Sequence, residues 1–325
     1  MKYKLLVNVT RDKRVHEILE RTIVSDKKVS RLFERVYASG RDELLRNIDT
    51  ADVLLSFAVN EATITKAKKL KWIQFASAGV EKSLNPTLLA TNIKLTCCRG
   101  MHADSIAEYI MMQILAFAKK LPRAFNFQRE HHWEFEAMLN GKFDLSGKVL
   151  CIVGLGSIGR RLARMAKAFD IKVIGTVNTP RKIPYVDEVY SAGKLGKCLK
   201  KADIAAICTP LTDQTYHLIG GQELALMKKS ALIINVGRGK LIDESALIEA
   251  LKEDRIAGAA LDVFETEPLP PESPLWDMPN VTITPHISGM TDNIWEKIGR
   301  LFCENAVRFH SGKRMLGSVN KKKGY

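Results

Sequence analysis

Residues 148–170, KVLCIVGLGSIGRRLARMAKAFD, space Gly154, Gly156 and Gly159 as G-x-G-x-x-G. An apolar, strand-like run precedes the glycines, and the run after them puts Ile158, Leu162, Met165, Ala166 and Phe169 on one helical face. In that strand–loop–helix setting the spacing is a dinucleotide fingerprint. Gly154 permits the tight turn. Gly156 lets a pyrophosphate approach the backbone beside Ser157 and Ile158, Gly159 lets helix and strand pack closely, and the helix N-terminus faces the negative charge. The next strand, KVIGTV, runs out at Thr176, Val177 and Asn178 without the acid that binds both ribose hydroxyls of NAD. Arg181 and Lys182 follow instead, and a guanidinium there suits a 2′-phosphate. The residues therefore predict NADP(H) in preference to NAD(H), with NAD(H) possible. The plainer alternative is that this basic pair decorates a surface loop.

A second candidate is His286 in TPHISG, residues 284–289, after an alternating strand pattern at Val281 and Ile283. A histidine at a strand end is either a satisfied polar residue or an acid/base group, and the six residues by themselves leave both readings open.

These groups need a scaffold, and the chain offers two stretches of it. KLLVNV (4–9), DVLLSFAV (52–59), WIQFA (72–76) and IKLTCC (93–98) read as buried strands with helical spacing between them. A long helical pattern runs from about Ser105 and stops before Pro122. From Lys148 the strands KVLCIVG, KVIGTV, DIAAICT, ALIINV, GAALDV and VTITP alternate with helices, and a last helix is expected over 292–310. Alternation of this kind predicts parallel α/β sheets. The boundaries expected are a discontinuous domain, 1–100 with 291–325, and an inserted domain, 101–290.

At 325 residues and 46% apolar content the chain is long enough for two such cores. The six cysteines show neither CxxC pairs nor zinc-type spacing, which argues for no metal and for a reduced, cytoplasmic setting. No targeting segment is visible, and YIMMQILAFA (109–118) is far short of a bilayer span. The net charge of +14 is spread along the chain without a recognition-helix, RNP or zinc-finger pattern, so it argues for anionic small molecules over nucleic acid.

The ordered motifs GLGSIGR, CTPLTDQTYHLIG (208–220), IINVGRGKLIDESAL (233–247), GAALDVFETEPLPPESPLW (258–276) and TPHISG resemble the D-isomer-specific 2-hydroxyacid dehydrogenases over essentially the whole chain. That resemblance implies an α/β fold, a Rossmann dinucleotide-binding domain inserted in a flavodoxin-like α/β substrate domain. It implies hydride transfer between a nicotinamide and C2 of a small 2-keto or 2-hydroxy carboxylate. On the family pattern Arg238 pairs with the substrate carboxylate, His286 is the acid/base, and Glu267 orients the imidazole and favours its protonated form. Asp262 corresponds to a residue near the nicotinamide carboxamide, with a turn cap as its rival role. Thr209 and Pro210 border the adenosine side, Val236 and Gly237 the nicotinamide ribose, and Ile106 the nicotinamide or simply the core. In FASAGVEKS (75–83) the backbone of Ser77, Ala78 and Gly79 would hold the substrate carboxylate. Closure between the domains would then exclude water.

The stretch EHHWEFE (130–136) has adjacent histidines and acids, but neighbours on a helix point apart, so a metal is not expected there. It matches the family's variable dimer-forming extension, and Phe125, Phe127, Trp133 and Phe135 are expected in a homodimer interface. His102 and His217 carry no assigned role. Glu267, where a glutamine would point to formate dehydrogenase, argues against that branch, and the short tail argues against the regulatory domains of longer phosphoglycerate dehydrogenases. A dinucleotide-sensing corepressor or scaffold of the same fold is the competing reading, kept alive by the charge.

Overall fold

The computed structural model describes residues 2–139 and 141–321. The chain forms two compact units: one runs to His102 and resumes at Thr291, and the other is Ala103–Met290.

In the first unit β1 (Tyr3–Asn8), β2 (Phe33–Tyr37), β3 (Val53–Ser56), β4 (Trp72–Phe75) and β5 (Lys94–Thr96) form a parallel five-stranded sheet in the order β2-β1-β3-β4-β5. This is the flavodoxin-like order. All four residues of β3, VLLS, and of β4, WIQF, are buried, as expected where helices cover both faces of a parallel sheet. The helix Ile294–His310 supplies Ile294, Ile298, Phe302 and Ala306 to the same core as Lys13–Ser25. Trp72 stacks on Phe302 with ring centroids 5.3 Å apart. A Cβ at Gly299 would lie 2.8 Å from Thr22 Cγ2, so these two helices touch at the backbone of residue 299.

In the second unit β6 (Val149–Val153), β7 (Lys172–Val177), β8 (Glu188–Ser191), β9 (Ile204–Ile207), β10 (Leu232–Asn235), β11 (Gly258–Leu261) and β12 (Val281–Ile283) form a seven-stranded sheet. Its order is β12-β11-β10-β9-β6-β7-β8, all parallel, the Rossmann arrangement with one further strand. IAAI, LIIN and GAAL are buried throughout.

Two strands depart from the sequence reading. β2 (FERVY) and β8 (EVYS) are not among the apolar runs, and each is an edge strand with mostly half-buried residues. An edge strand is wetted along one side, so its composition lacks the continuous apolar run that marks a central parallel strand. The second departure is at residues 130–134. The helix Leu121–Arg129 closes at Glu130, His131 sits at φ +56°, and a helix resumes only at Phe135–Leu139. His131 and His132 therefore lie in a turn, not on a helix.

Candidate active site

The sheet order of the second unit lays the candidate groups along one edge. The carboxyl ends of β12, β11, β10, β9, β6 and β7 are successive neighbours. They are followed in the sequence by His286, by Asp262 and Glu267, by Val236, Gly237 and Arg238, by Thr209 and Pro210, by the glycine loop, and by Asn178 and Arg181. Ligands of open α/β sheets bind at this edge because the loops there converge while the strands hold them rigidly.

At the β11 and β12 ends, His286 Nδ1 lies 3.0 Å from Glu267 Oε2. Glu267 Oε1 also accepts from the Phe264 N–H at 3.2 Å, which fixes the carboxylate against its own loop. With Nδ1 engaged, Nε2 is the ring nitrogen left for another partner. His286 is 47% exposed on its side chain and Glu267 26%, so the imidazole reaches solvent while its orienting carboxylate is mostly covered. The histidine adopts φ +56°, in the left-handed region that a residue with a β-carbon occupies only when its surroundings hold it there. Asp262 holds that loop. Fully buried, it accepts from the Ile287 N–H (2.8 Å), the Ser288 N–H (2.9 Å) and Thr284 Oγ1 (2.6 Å), three donors that bracket His286. Of the two roles open to Asp262, the geometry at this loop is that of the cap.

Arg238 follows β10, half-buried. Its Nη1 donates to the Gly237 carbonyl at 2.7 Å, and its own carbonyl accepts from Asn235 Nδ2 at 3.0 Å. A Cβ at Gly239 would overlap the backbone of Phe264, so the turn after Arg238 packs tightly onto the loop that leads to Glu267.

The glycine loop fits a pyrophosphate. Gly154 has φ +103°, and a Cβ there would lie 2.9 Å from the Thr209 nitrogen, so the β6 loop rests on the β9 loop. A Cβ at Gly159 would lie 2.4 Å from the Gly154 carbonyl oxygen and 2.9 Å from Ile152 Cγ2. At Gly156, by contrast, a Cβ would meet nothing within 4 Å. The protein's own packing therefore does not demand glycine at 156, and the backbone there is open to a ligand from outside. Gly156 and Ser157 are exposed, Ile158 is half-buried, and the helix Ser157–Ala166 points its N-terminus at the same place. Asn178 and Arg181 are exposed just beyond β7, and among the described residues Arg181 has no hydrogen-bond or ion-pair partner. Thr209 is half-buried and Pro210 exposed. Burial pushes the thiol of Cys208 beside them up to about 12, which disfavours the thiolate.

Other predicted positions divide between loop and core. In the first unit Ser77 Oγ donates to the carbonyls of Gly79 (2.7 Å) and Phe57 (3.2 Å), which folds residues 77–79 into a tight turn with Ala78 exposed at its tip. Ile106 and Val236 belong to one core cluster of the second unit, at 9% and 6% exposure. Trp133 is 94% exposed, Phe135 65% and Phe125 51%, while Phe127 is half-buried under Arg123.

Sequence reading missed two clusters. One is the set of hydroxyls behind Asp262, reached through Thr284. The other is His217, whose Nε2 lies 2.8 Å from Glu265 Oε1, with Asp243 close enough to complete a possible ligand set. These acids have structural work: Asp243 caps the helix Glu244–Lys252, and Glu244 and Glu265 exchange backbone-to-carboxylate bonds. Burial, and then the neighbouring Glu265 charge, raise the Glu244 carboxyl above its usual range. The one local signal was the spacing of acids in ETEP, which does not say which acid faces which histidine.

A family model described as "D-isomer specific 2-hydroxyacid dehydrogenase, NAD binding domain" matches residues 111–288. The chain is 36% identical over 288 residues to a glyoxylate reductase of Thermofilum pendens, covering 86% of this chain and 85% of that one. It is also 36% identical over 284 residues to a D-3-phosphoglycerate dehydrogenase of Methanocaldococcus jannaschii, covering 86% of this chain but 54% of that one. Among solved structures, a D-isomer-specific 2-hydroxyacid dehydrogenase family protein from Aeromonas salmonicida matches with a TM-score of 0.86 at 30% identity, over 99% and 100% of the two chains. An NADPH-dependent glyoxylate/hydroxypyruvate reductase from Sinorhizobium meliloti, in complex with NADP and sulfate, matches with a TM-score of 0.87 at 26% identity over the whole of both chains. The family model spans more than half of the chain and full-length relatives share its sequence beyond that span; this chain belongs to the D-isomer-specific 2-hydroxyacid dehydrogenases, NAD(P)-dependent oxidoreductases of 2-hydroxy acids.

Proposed function

We propose that the chain reduces small 2-keto acids to D-2-hydroxy acids with His286 as proton donor, Glu267 as its orienting carboxylate and Arg238 as the cation that binds the substrate carboxylate. The observation that carries this reading is the 3.0 Å contact between His286 Nδ1 and Glu267, at strand ends next to the one that precedes Arg238. A bound reduced nicotinamide supplies the hydride to C2. His286 Nε2 gives its proton to the keto oxygen as the alkoxide forms, and the exposed ring takes a new proton from solvent. Arg238 pairs with the carboxylate through its planar guanidinium and polarises the adjacent carbonyl. In the first unit the backbone N–H groups of Ser77, Ala78 and Gly79 are donors suited to a substrate carboxylate.

For the cofactor, Gly154, Gly156, Ser157, Ile158 and Gly159 take the pyrophosphate, and Thr209 and Pro210 border the adenosine. Val236, Gly237 and Ile106 line the nicotinamide side. Asn178 and Arg181 select NADP(H) over NAD(H): no acid stands at the end of β7, and the Arg181 side chain is exposed without a partner among the described residues. The names of the relatives make glyoxylate and hydroxypyruvate the first substrates to try. A second copy of the chain covers Phe125, Trp133 and Phe135, because exposed aromatics of this size mark an interface. The setting is cytoplasmic; no helix among the described residues is long and apolar enough to cross a membrane.

The test is a continuous absorbance assay with NADPH and NADH against glyoxylate, hydroxypyruvate, pyruvate, phenylpyruvate and 2-ketoisocaproate, on wild type and His286→Ala. Turnover with NADPH that the variant loses is the expected result. Cofactor binding without turnover of any keto acid would move the protein towards a dinucleotide sensor.

A further inference from the structure

Behind the His286 loop runs a chain of hydrogen bonds that begins on the helix Ala103–Ala118. Gln113 Nε2 donates to Tyr109 Oη at 2.8 Å, and Tyr109 Oη lies 2.6 Å from Thr284 Oγ1. Thr284 Oγ1 donates to Asp262 Oδ1 at 2.6 Å, and the N–H groups of Ile287 and Ser288 complete the Asp262 shell. The Asp262 carboxyl accepts from all three of these donors, the Thr284 hydroxyl among them. The single Thr284 hydroxyl proton therefore goes to Asp262, the Tyr109 proton to Thr284, and the Gln113 amide fills the Tyr109 lone pair. Every proton in the chain has one direction. The same helix ties the loop a second time, one turn earlier, where Ser105 Oγ donates to the Ser288 carbonyl at 2.8 Å. Residues 284 and 287–288 are thus fastened on both sides of a histidine held at φ +56°.

We infer that Tyr109, with Gln113 behind it, is a positioning residue for His286: it orients the Thr284 hydroxyl that helps Asp262 hold the loop. Burial raises the Tyr109 phenol above its usual range, so the hydroxyl stays protonated as a donor. The inference rests on the reading of His286 as the acid/base group.

Tyr109→Phe keeps the ring and removes both bonds of the hydroxyl. In the cofactor-free protein, amide hydrogen exchange at Ile287 and Ser288 is expected to speed up roughly fivefold or more, the scale of one lost hydrogen bond. In the holoenzyme kcat is expected to fall roughly five- to thirtyfold while KM for the keto acid stays within about twofold, since the substrate-binding groups are untouched. Gln113→Met, which leaves the phenol in place, should move both readings the same way by less. Unchanged exchange, or faster exchange with unchanged kcat, overturns the inference. His286→Ala keeps the two readings apart. If that variant retains turnover, the acid/base assignment fails whatever Tyr109→Phe does; if it is inactive while Tyr109→Phe matches wild type, only the positioning role fails.

Discussion

In Gly156→Ala the added methyl meets no protein atom within 4 Å, and the backbone there, φ −78° and ψ −154°, is extended and open to alanine. The folded state therefore bears no clash, and the unfolded chain loses freedom. Such a change stabilises by about 0.4–1 kcal/mol, which raises the midpoint of thermal unfolding by roughly 1–4 °C in a unit of this size. Cofactor binding should move the other way. A methyl in the space next to the Ser157 and Ile158 backbone pushes the pyrophosphate off its N–H donors, and charge-assisted bonds of that kind are worth about 1.5–3 kcal/mol. The Kd for NADPH then weakens roughly ten- to a hundredfold. Gly159→Ala is the control, because its Cβ would sit 2.4 Å from the Gly154 carbonyl oxygen. Overpacking of that sort costs about 1–3 kcal/mol, so stability and affinity fall together. Thermal unfolding without cofactor and calorimetric titration with NADPH separate the two variants. If Gly156→Ala binds NADPH like wild type, the pyrophosphate does not approach this backbone and the argument from empty space is wrong.

Further outcomes are expected elsewhere in the molecule. Arg181→Ser should raise KM for NADPH by roughly tenfold, the worth of a surface-exposed bidentate contact to a phosphate, and leave KM for NADH almost unchanged; parallel titration of the two cofactors reads this directly. Glu188 is held down to about 2 by hydrogen bonds from Lys172, then Lys201 and Tyr190. Its folded value lies below the ordinary 4.5, so its contribution to stability is fully present above that pH and disappears as the pH falls towards 2. Urea unfolding should therefore find Glu188→Gln weaker than wild type at pH 6, with the gap narrower at pH 3 and closing towards pH 2, and a gap as wide at pH 3 as at pH 6 would contradict the ion-pair account. Trp133→Glu combined with Phe135→Glu places two charges on side chains 94% and 65% exposed. Light scattering on a sizing column should report a dimer for wild type and a monomer for this variant, with unchanged unfolding behaviour of each unit.

The central strands and the glycine loop were legible in the sequence because their cause is local. A parallel strand covered on both faces must be apolar at every position, as IAAI and GAAL are, and a turn under a phosphate must be glycine where a Cβ would collide. Edge strands such as FERVY and EVYS obey a weaker local rule, so they emerged only once their partners β1 and β7 were in place. The roles of Arg238, Glu267 and His286 came from motif resemblance, since nothing within TPHISG says whether its histidine is structural. What tertiary structure decided is which distant groups meet. Sheet order brings the loops after β10, β11 and β12 side by side, although Arg238 and His286 are far apart in the chain. The same order pairs Glu267 with His286 while Glu265, two residues earlier, goes to His217. It also gives Asp262 to Thr284, Ile287 and Ser288 instead of leaving it an open carboxylate. Hydrogen bonds are short and directional, so a two-residue step along one loop is enough to change a carboxylate's partner, and composition or periodicity carries no trace of that choice.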